Sequence, residues 1–290
     1  MTPAAAPHVT RKLLELDQAL LATIPRVTEH VSKEHDDEAI HDLRVAIRRL
    51  RTLLKLSRRL FGRWHTDCVR RAFADVMRAT GDLRDEEVLE ETLEGASTSP
   101  LFLSWLASRK QREAALRRAV TSRITRGDLD RARLMLKALL VFPIDPGRDV
   151  ELAKFARRTV ERARSRVEAR RDVASDDVVG LHELRIAYKE LRYSIELLSD
   201  ALPIDARALL EPATVFQKRL GELHDVDVAI EAIRDARALA GHVRDEALTS
   251  LDALRKKRLA KYLREVDPLG QEAARQKQPE AAEGGRKTST

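Results

Sequence analysis

Residues 40–51 read Ile-His-Asp-Leu-Arg-Val-Ala-Ile-Arg-Arg-Leu-Arg, and residues 181–192 read Leu-His-Glu-Leu-Arg-Ile-Ala-Tyr-Lys-Glu-Leu-Arg. Six of the twelve positions are identical. In both stretches apolar residues recur three and four apart with cations between them, which is the period of an amphipathic helix and not of a strand. A second pair of segments follows each. Gly81–Val88 reads Gly-Asp-Leu-Arg-Asp-Glu-Glu-Val and Gly221–Val228 reads Gly-Glu-Leu-His-Asp-Val-Asp-Val. The distance from His41 to Gly81 is 40 residues and that from His182 to Gly221 is 39. Two motifs in the same order at nearly the same separation indicate a duplicated helical unit.

Outward from these motifs the helical period continues almost throughout, and no convincing alternating strand appears. Gly, Pro, Ser and Asp cluster near 33–37, Gly62, 97–100, Gly127, 143–147, 175–180, Pro203 and Gly241. These breaks predict an all-α chain with helices over about 11–33, 37–61, 64–94 and 101–126, then 149–172, 177–201, 206–239 and 242–266. Residues 128–141 are predicted as a connecting helix. Arg109, Lys110, Arg112 and Arg118 pair with Arg255, Lys256, Arg258 and Arg264 at a constant offset of 146, a weaker third match that suggests four helices per repeat. Residues 268–290 turn to Gln, Glu, Gly, Lys and Thr with little to bury, and are expected to be a disordered tail.

Lys and Arg number 54 against 47 Asp and Glu, for a formal net charge of +7. That balance favours an anionic partner such as nucleic acid, a phosphate polymer or acidic lipid, without naming one. Cys68 is the sole cysteine, which excludes an internal disulfide or multi-thiolate zinc site and suits a reducing compartment. The first ten residues lack a signal-peptide apolar core, and no apolar run approaches membrane-spanning length, so a cytoplasmic protein is expected.

Projected on a helix, His41, Arg44, Arg48, Arg51 and Lys55 fall within an arc of about 80°. Leu43, Ala46, Ile47, Leu50 and Leu54 occupy a separate apolar arc. In the second repeat His182, Arg185, Lys189 and Arg192 form the matching cationic arc, beside Leu184, Ala187, Tyr188, Leu191 and Ile195. Glu196, in the place of Lys55, departs from the match. An ordinary solvated face mixes signs, whereas successive cations on one arc repel by a few tenths of a kcal/mol per pair. Carrying that cost in both repeats points to an anion that neutralises both stripes. Rows of forked Arg donors and Lys point charges at a pitch of about 5 Å suit an extended polyanion better than one small anion. Asp85 and Asp225, in the Gly-x-Leu-(Arg/His)-Asp repeats, fit the positioning of nearby Arg side chains better than metal ligation.

The paired His-x-Leu-Arg-(Val/Ile)-Ala-x-(Arg/Lys)-x-Leu-Arg segments, each followed by Gly-x-Leu-(Arg/His)-Asp-x-(Glu/Asp)-Val, resemble CHAD, the conserved histidine α-helical domain. The resemblance covers about residues 10–267, with repeat one at about 10–126, the connecting helix at 128–141 and repeat two at about 149–267. Residues 1–9 are left as a flexible N-terminus. It implies two four-helix bundles related by a pseudo-twofold axis, forming one compact domain with a basic central groove or pore. It also implies binding of inorganic polyphosphate and, in some members, association with polyphosphate granules. Carried over by position, the implied contacts are His41, Arg44, Arg48, Arg51, His182, Arg185, Lys189 and Arg192, with Lys55 on the same stripe and Lys110, Arg112, Lys256 and Arg258 on the fourth helices. Glu190 opposite Arg49, Glu196 opposite Lys55 and His224 opposite Arg84 make the halves unequal, so the first is expected to be the more basic side. Some relatives carry a strand-rich CYTH domain ahead of CHAD. No segment of this sequence has that strand pattern, so a stand-alone CHAD is expected.

Two other functions compete. His35-Asp36, His41-Asp42 and His224-Asp225 suggest a metal-dependent phosphohydrolase, but adjacent residues on a helix point about 100° apart and no consistent ligand set emerges. Nucleic-acid binding shares the phosphate backbone, but aromatics are 4% of the chain and no helix-turn-helix, zinc-finger or ribonucleoprotein signature appears. The expectation is therefore a binding protein without catalytic residues, metal or cofactor, with no membrane or sequence-specific nucleic-acid partner.

Overall fold

The apolar periodicity becomes helix along nearly the whole of the described chain, which in this computed structural model comprises residues 3–28, 37–141 and 150–265. Repeat one holds α1 (Ala5–Thr28), α2 (Asp37–Leu56), α3 (Arg63–Ala79), α4 (Gly81–Leu93) and α5 (Pro100–Thr125). After the connecting α6 (Asp128–Val141), repeat two holds α7 (Leu152–Glu168), α8 (Val178–Leu198), a short α9 (Ile204–Ala208), α10 (Leu210–Asp235) and α11 (Gly241–Glu265). The protein is all-α, with no strand among the described residues. The expected tail at 268–290 and the breaks expected near 33–36 and 143–147 lie outside the described residues.

α1 begins at Ala5, well before the expected 11, because its start is held by the start of repeat two. Ala5 N donates to Val150 O at 2.8 Å and Leu152 N donates to Pro3 O at 2.9 Å. Ala5, Ala6 and Val9 are buried, so residues 5–9 are part of the packed helix and not a flexible lead-in. The clamp works because a helix's first N–H groups lack internal partners.

The apolar arc read from the first motif is buried as expected. Leu43, Ile47, Leu50, Leu53 and Leu54 of α2 are fully enclosed, as are Leu184, Leu191 and Ile195 of α8 to within a few per cent. α8 starts at an N-cap, Asp177, whose Oδ1 accepts from Gly180 N at 2.9 Å. Gly180 lets the cap close tightly, because a Cβ would lie 2.3 Å from Val173 Cγ2 and 2.4 Å from Asp177 Oδ2 and would displace those side chains. α8 also carries a second buried face: Tyr193 and Leu197 pack into the core of repeat one.

The repeats are not two free-standing bundles. A first core fills repeat one and a second fills repeat two. A third joins Leu89, Leu93 and Phe102 of repeat one to Val226, Ile230, Ile233, Val243 and Leu251 of repeat two. Repeat-mates pack on one another, α1 on α7, α2 on α8 and α4 on α10. Apolar surface shared in this way ties the halves into one cooperative body.

One expected helix is broken. The segment predicted as continuous over 64–94 divides at Thr80, whereas its mate α10 runs unbroken through Leu220. Arg44 of α2 reaches the division, its Nη1 donating to Thr80 Oγ1 at 2.6 Å and to Met77 O at 3.3 Å. Thr80 Oγ1 also donates to Met77 O at 3.1 Å. Insertion of a side chain into the carbonyl ladder is a recognised cause of a helix kink. Leu220 has no hydroxyl to offer and is buried, so the second repeat keeps its helix.

Candidate anion-binding site

The cationic arcs of α2 and α8 meet where the two helices pack, with α4 and α10 alongside. Lys189 of α8 stands at the centre. Burial, and then the charges of Arg48, Arg185, Arg44 and Arg192, push its pKa down to about 7. Two of those arginines come from each repeat, so the seam draws equally on both. Arg44 is pushed down to about 10, by burial first and then by Arg48, and stays cationic at neutral pH. Arg185 is lowered chiefly by burial and by Arg48 across the seam, against the opposing effect of Asp225.

Few acids answer these charges. Among the described residues no carboxylate oxygen lies within 4.0 Å of a charged nitrogen of Arg48, Arg51, Arg185 or Lys189. Nε of Arg44 and of Arg51 is buried without a hydrogen-bond partner. Such groups are costly to bury unless something accepts from them. Asp85 bears on Arg44 and Asp225 on Arg185, each motif aspartate acting on the arginine of its own repeat. Burial raises the Asp225 pKa, Arg185 and Arg84 oppose it, and Glu91 and Glu222 add to it. Among the described residues no group of three or more His, Cys, Asp or Glu is disposed to hold a metal ion.

The remaining stripe residues divide. Arg192 is committed within repeat two: Nε donates to Glu196 Oε1 at 2.7 Å and Nη1 to Gln217 Oε1 at 3.0 Å. Lys55 Nζ donates to Glu190 Oε2 at 2.9 Å across the repeats. Its counterpart is the 3.5 Å pair of Arg49 with Glu196. Positions 49 and 55 in repeat one align with 190 and 196 in repeat two, so each pair joins one position to the mate of the other. The acids that seemed to spoil the repeat are therefore its interlock: repeat one supplies two cations there and repeat two supplies two anions. Glu190 also accepts from Arg166 of α7.

His41 lies half-buried on α2. His182 is half-buried too, and its Nδ1 is 3.3 Å from Nδ1 of His224 on α10, the two rings lying 4.4 Å apart by their centres. One nitrogen must donate and the other accept, so at least one ring is neutral. Burial, then Arg185 and His182, push His224 down to about 4. His182 is lowered as well, by burial and then by Arg185 and Lys189. Arg112 faces Glu86 at 3.7 Å and Arg258 donates to Glu222 at 3.0 Å, while Lys110 and Lys256 are exposed on α5 and α11.

Sequence reasoning missed Arg70 and Arg78 of α3, whose charges bear on Arg51, and Arg84, which bears on Arg44 and Asp225. Arg84 was visible inside the Gly-x-Leu-Arg-Asp motif. Arg70 and Arg78 lie in an unrepeated stretch, and only the packing of α3 on α2 brings them in. Arg44 is tied to the Thr80 kink, while its mate Arg185 makes no corresponding bond.

Fold and site together define a duplicated all-helical domain with a partly desolvated basic seam between its repeats. The family model of the CHAD domain matches residues 18–234, and the chain belongs to that family. Solved structures agree on the fold. The CHAD domain from the plant Ricinus communis superposes with a TM-score of 0.64 at 22% identity, covering 95% of this chain and 91% of that one. PptA from Streptomyces chartreusis superposes with a TM-score of 0.63 at 16% identity, covering 91% of this chain and 96% of that one. No curated protein matches the sequence.

Proposed function

We propose that this protein binds inorganic polyphosphate in the seam between its repeats, with Arg48, Arg185 and Lys189 as the central contacts. Arg44, Arg51 and Arg192 flank them, and His41, His182, Lys55, Lys110, Arg112, Lys256 and Arg258 form outer positions. The observation that carries the reading is a cluster of cations from both repeats in which Arg48, Arg185 and Lys189 have no carboxylate within ion-pair distance among the described residues, in a chain that belongs to the CHAD family. A polyanion restores charged hydrogen bonds to all of them at once. Its two halves approach each other about a pseudo-twofold axis, supported by the α1–α7, α2–α8 and α4–α10 contacts and by the interlocked ion pairs.

The protein is read as a binder and not a hydrolase, because the motif aspartates face arginines in both repeats. Association with polyphosphate granules in the cytoplasm follows from the same reading and is checked by co-sedimentation with purified granules. No helix of the described residues is long and apolar enough to cross a membrane.

The test is a triple change, Arg48→Gln, Arg185→Gln and Lys189→Gln. At about 1–3 kcal/mol per lost charged contact, polyphosphate affinity should fall at least a hundredfold with helicity retained. A control triple removes the same charge from the exposed face of α7, at Lys154, Arg157 and Arg158, and should change affinity several-fold at most. A control loss as large as the seam loss would mean that net charge alone holds the polymer. DNA competing as well as polyphosphate would favour nucleic acid instead.

A further inference from the structure

A second arginine group lies on the α2–α3 face of repeat one, outside the central seam. Arg51 follows Arg48 on α2 by about one helical turn, roughly 5 Å along the axis. It is half-buried, and burial and then Arg70, Arg78 and Arg48 hold its guanidinium below the ordinary arginine range. Nε of Arg51 and Nε of Arg70 are both buried without a hydrogen-bond partner. Arg70 donates to Asp67 at 2.8 Å, and Arg78 pairs with Asp75 in a contact whose partners are 75% and 62% exposed. An exposed i,i+3 pair is worth only a few tenths of a kcal/mol, so Arg78 is readily drawn to a stronger acceptor.

Repeat two has no such group. Arg192, the mate of Arg51, is already bonded to Glu196 and Gln217. The offset of 140 that relates Gly81 to Gly221 puts Leu210 and Lys218 where repeat one has Arg70 and Arg78.

We propose that Arg51, Arg70 and Arg78 form an outer phosphate subsite, so that a polyphosphate chain leaving the seam past Arg48 continues over the α2–α3 face of repeat one and not over the matching face of repeat two. The proposal rests on the polyphosphate reading and gives the bound chain a direction. A short chain fills the seam alone. A longer one also reaches the guanidinium groups of the outer group, and its affinity rises accordingly.

Titration calorimetry with tripolyphosphate and with long-chain polyphosphate tests this on the full chain. Arg70→Gln with Arg78→Gln should leave tripolyphosphate affinity within about twofold and weaken long-chain binding about tenfold or more, a loss of about 1.4 kcal/mol. Lys218→Gln, on the opposite face, should leave both unchanged. Asp75→Asn leaves every cation in place and releases Arg78, so it should tighten long-chain binding two- to threefold, with no effect on tripolyphosphate. Wild-type protein that gains affinity with length while the double variant gains as much would overturn the outer subsite and leave the seam reading intact. Equal losses for short and long chains would overturn it too, as a general charge effect. Wild-type protein that binds long chains no better than tripolyphosphate would overturn the outer subsite as well, whereas failure to bind either polymer would overturn the polyphosphate reading itself.

Discussion

Lys189 offers the most direct handle on the seam, because its folded pKa of about 7 lies well below the value of 10.5 that an unperturbed lysine has. Between those two pH values the unfolded chain binds a proton that the folded chain does not, so stability must rise with pH across the window. Below about pH 7 the lysine is charged in both states and the full destabilisation is present. A tenfold loss of proton affinity on folding corresponds to about 1.4 kcal/mol, and the partial exposure of Lys189 reduces the total to something on the order of 2–4 kcal/mol. Lys189→Met removes the titrating group with little change in volume. The variant should melt above the wild type at pH 6.5, by on the order of 4–12 °C, and the gap should close as pH approaches 10. Bound polyphosphate reverses the bias, since an adjacent anion raises the lysine pKa again. At pH 8 free Lys189 is mostly neutral, so binding should take up close to one proton, read as a dependence of calorimetric enthalpy on buffer ionisation heat. Affinity should weaken as pH rises above 7, by up to about tenfold for each step of one in pH from this group. A melting difference that does not vary with pH, or equal proton uptake by wild type and Lys189→Met at pH 8, would refute the placement of Lys189 among the arginines.

Two further outcomes follow from the contacts between helices. Arg49→Glu places like charges against Glu196 and should lower stability by about 0.5–1 kcal/mol, the pair being part-exposed; adding Glu196→Arg should recover much of that loss in a double-mutant cycle of thermal melts, and absence of coupling would show that the interlock is ornamental. Thr80→Val removes the acceptor of the 2.6 Å bond from buried Arg44 and should cost about 1–3 kcal/mol in denaturant unfolding, whereas Leu220→Val at the matching position, with no polar partner, should cost only what a lost methylene costs.

The helices and the duplication were legible because both are local. The three-and-four spacing of Leu43, Ala46, Ile47, Leu50 and Leu54 states its own buried face, and the buried arcs of α2 and α8 are the ones the period marks. What escaped depends on partners far along the chain. Nothing near Thr80 announces that Arg44 will enter its helix, and nothing near Ala5 announces that Val150 will accept from it. The shared core around Phe102 and Ile233 is likewise invisible to a reading that treats each repeat alone. Of the site, the stripes on α2 and α8 were legible from charge at helical spacing. The division of those cations into bound and unbound was not, because it turns on where Glu190 and Glu196 point.

Those two acids explain how one arc serves two ends. Glu196 takes Arg49 of α2 and Arg192 of its own helix, and Glu190 takes Lys55 of α2 and Arg166 of α7, so both acids hold α8 to its neighbours. Had they faced the seam, they would have neutralised Lys189 and Arg48, and the site would be a stable ion-pair network with no claim on an anion. Placed at the interlock, they supply attraction between the repeats close to where the inward cations repel, Arg49 and Glu190 being the immediate neighbours of Arg48 and Lys189 and pointing about 100° away from them around the same helices. The fold thereby carries an uncompensated charge that its three apolar cores and the interlock hold together, and that an extended polyanion would relieve. The acids that break the match between the repeats are then the ones that close the stripes on each other: with Glu190 and Glu196 in repeat two facing Lys55 and Arg49 in repeat one, both crossed contacts are opposite in charge without an anion present.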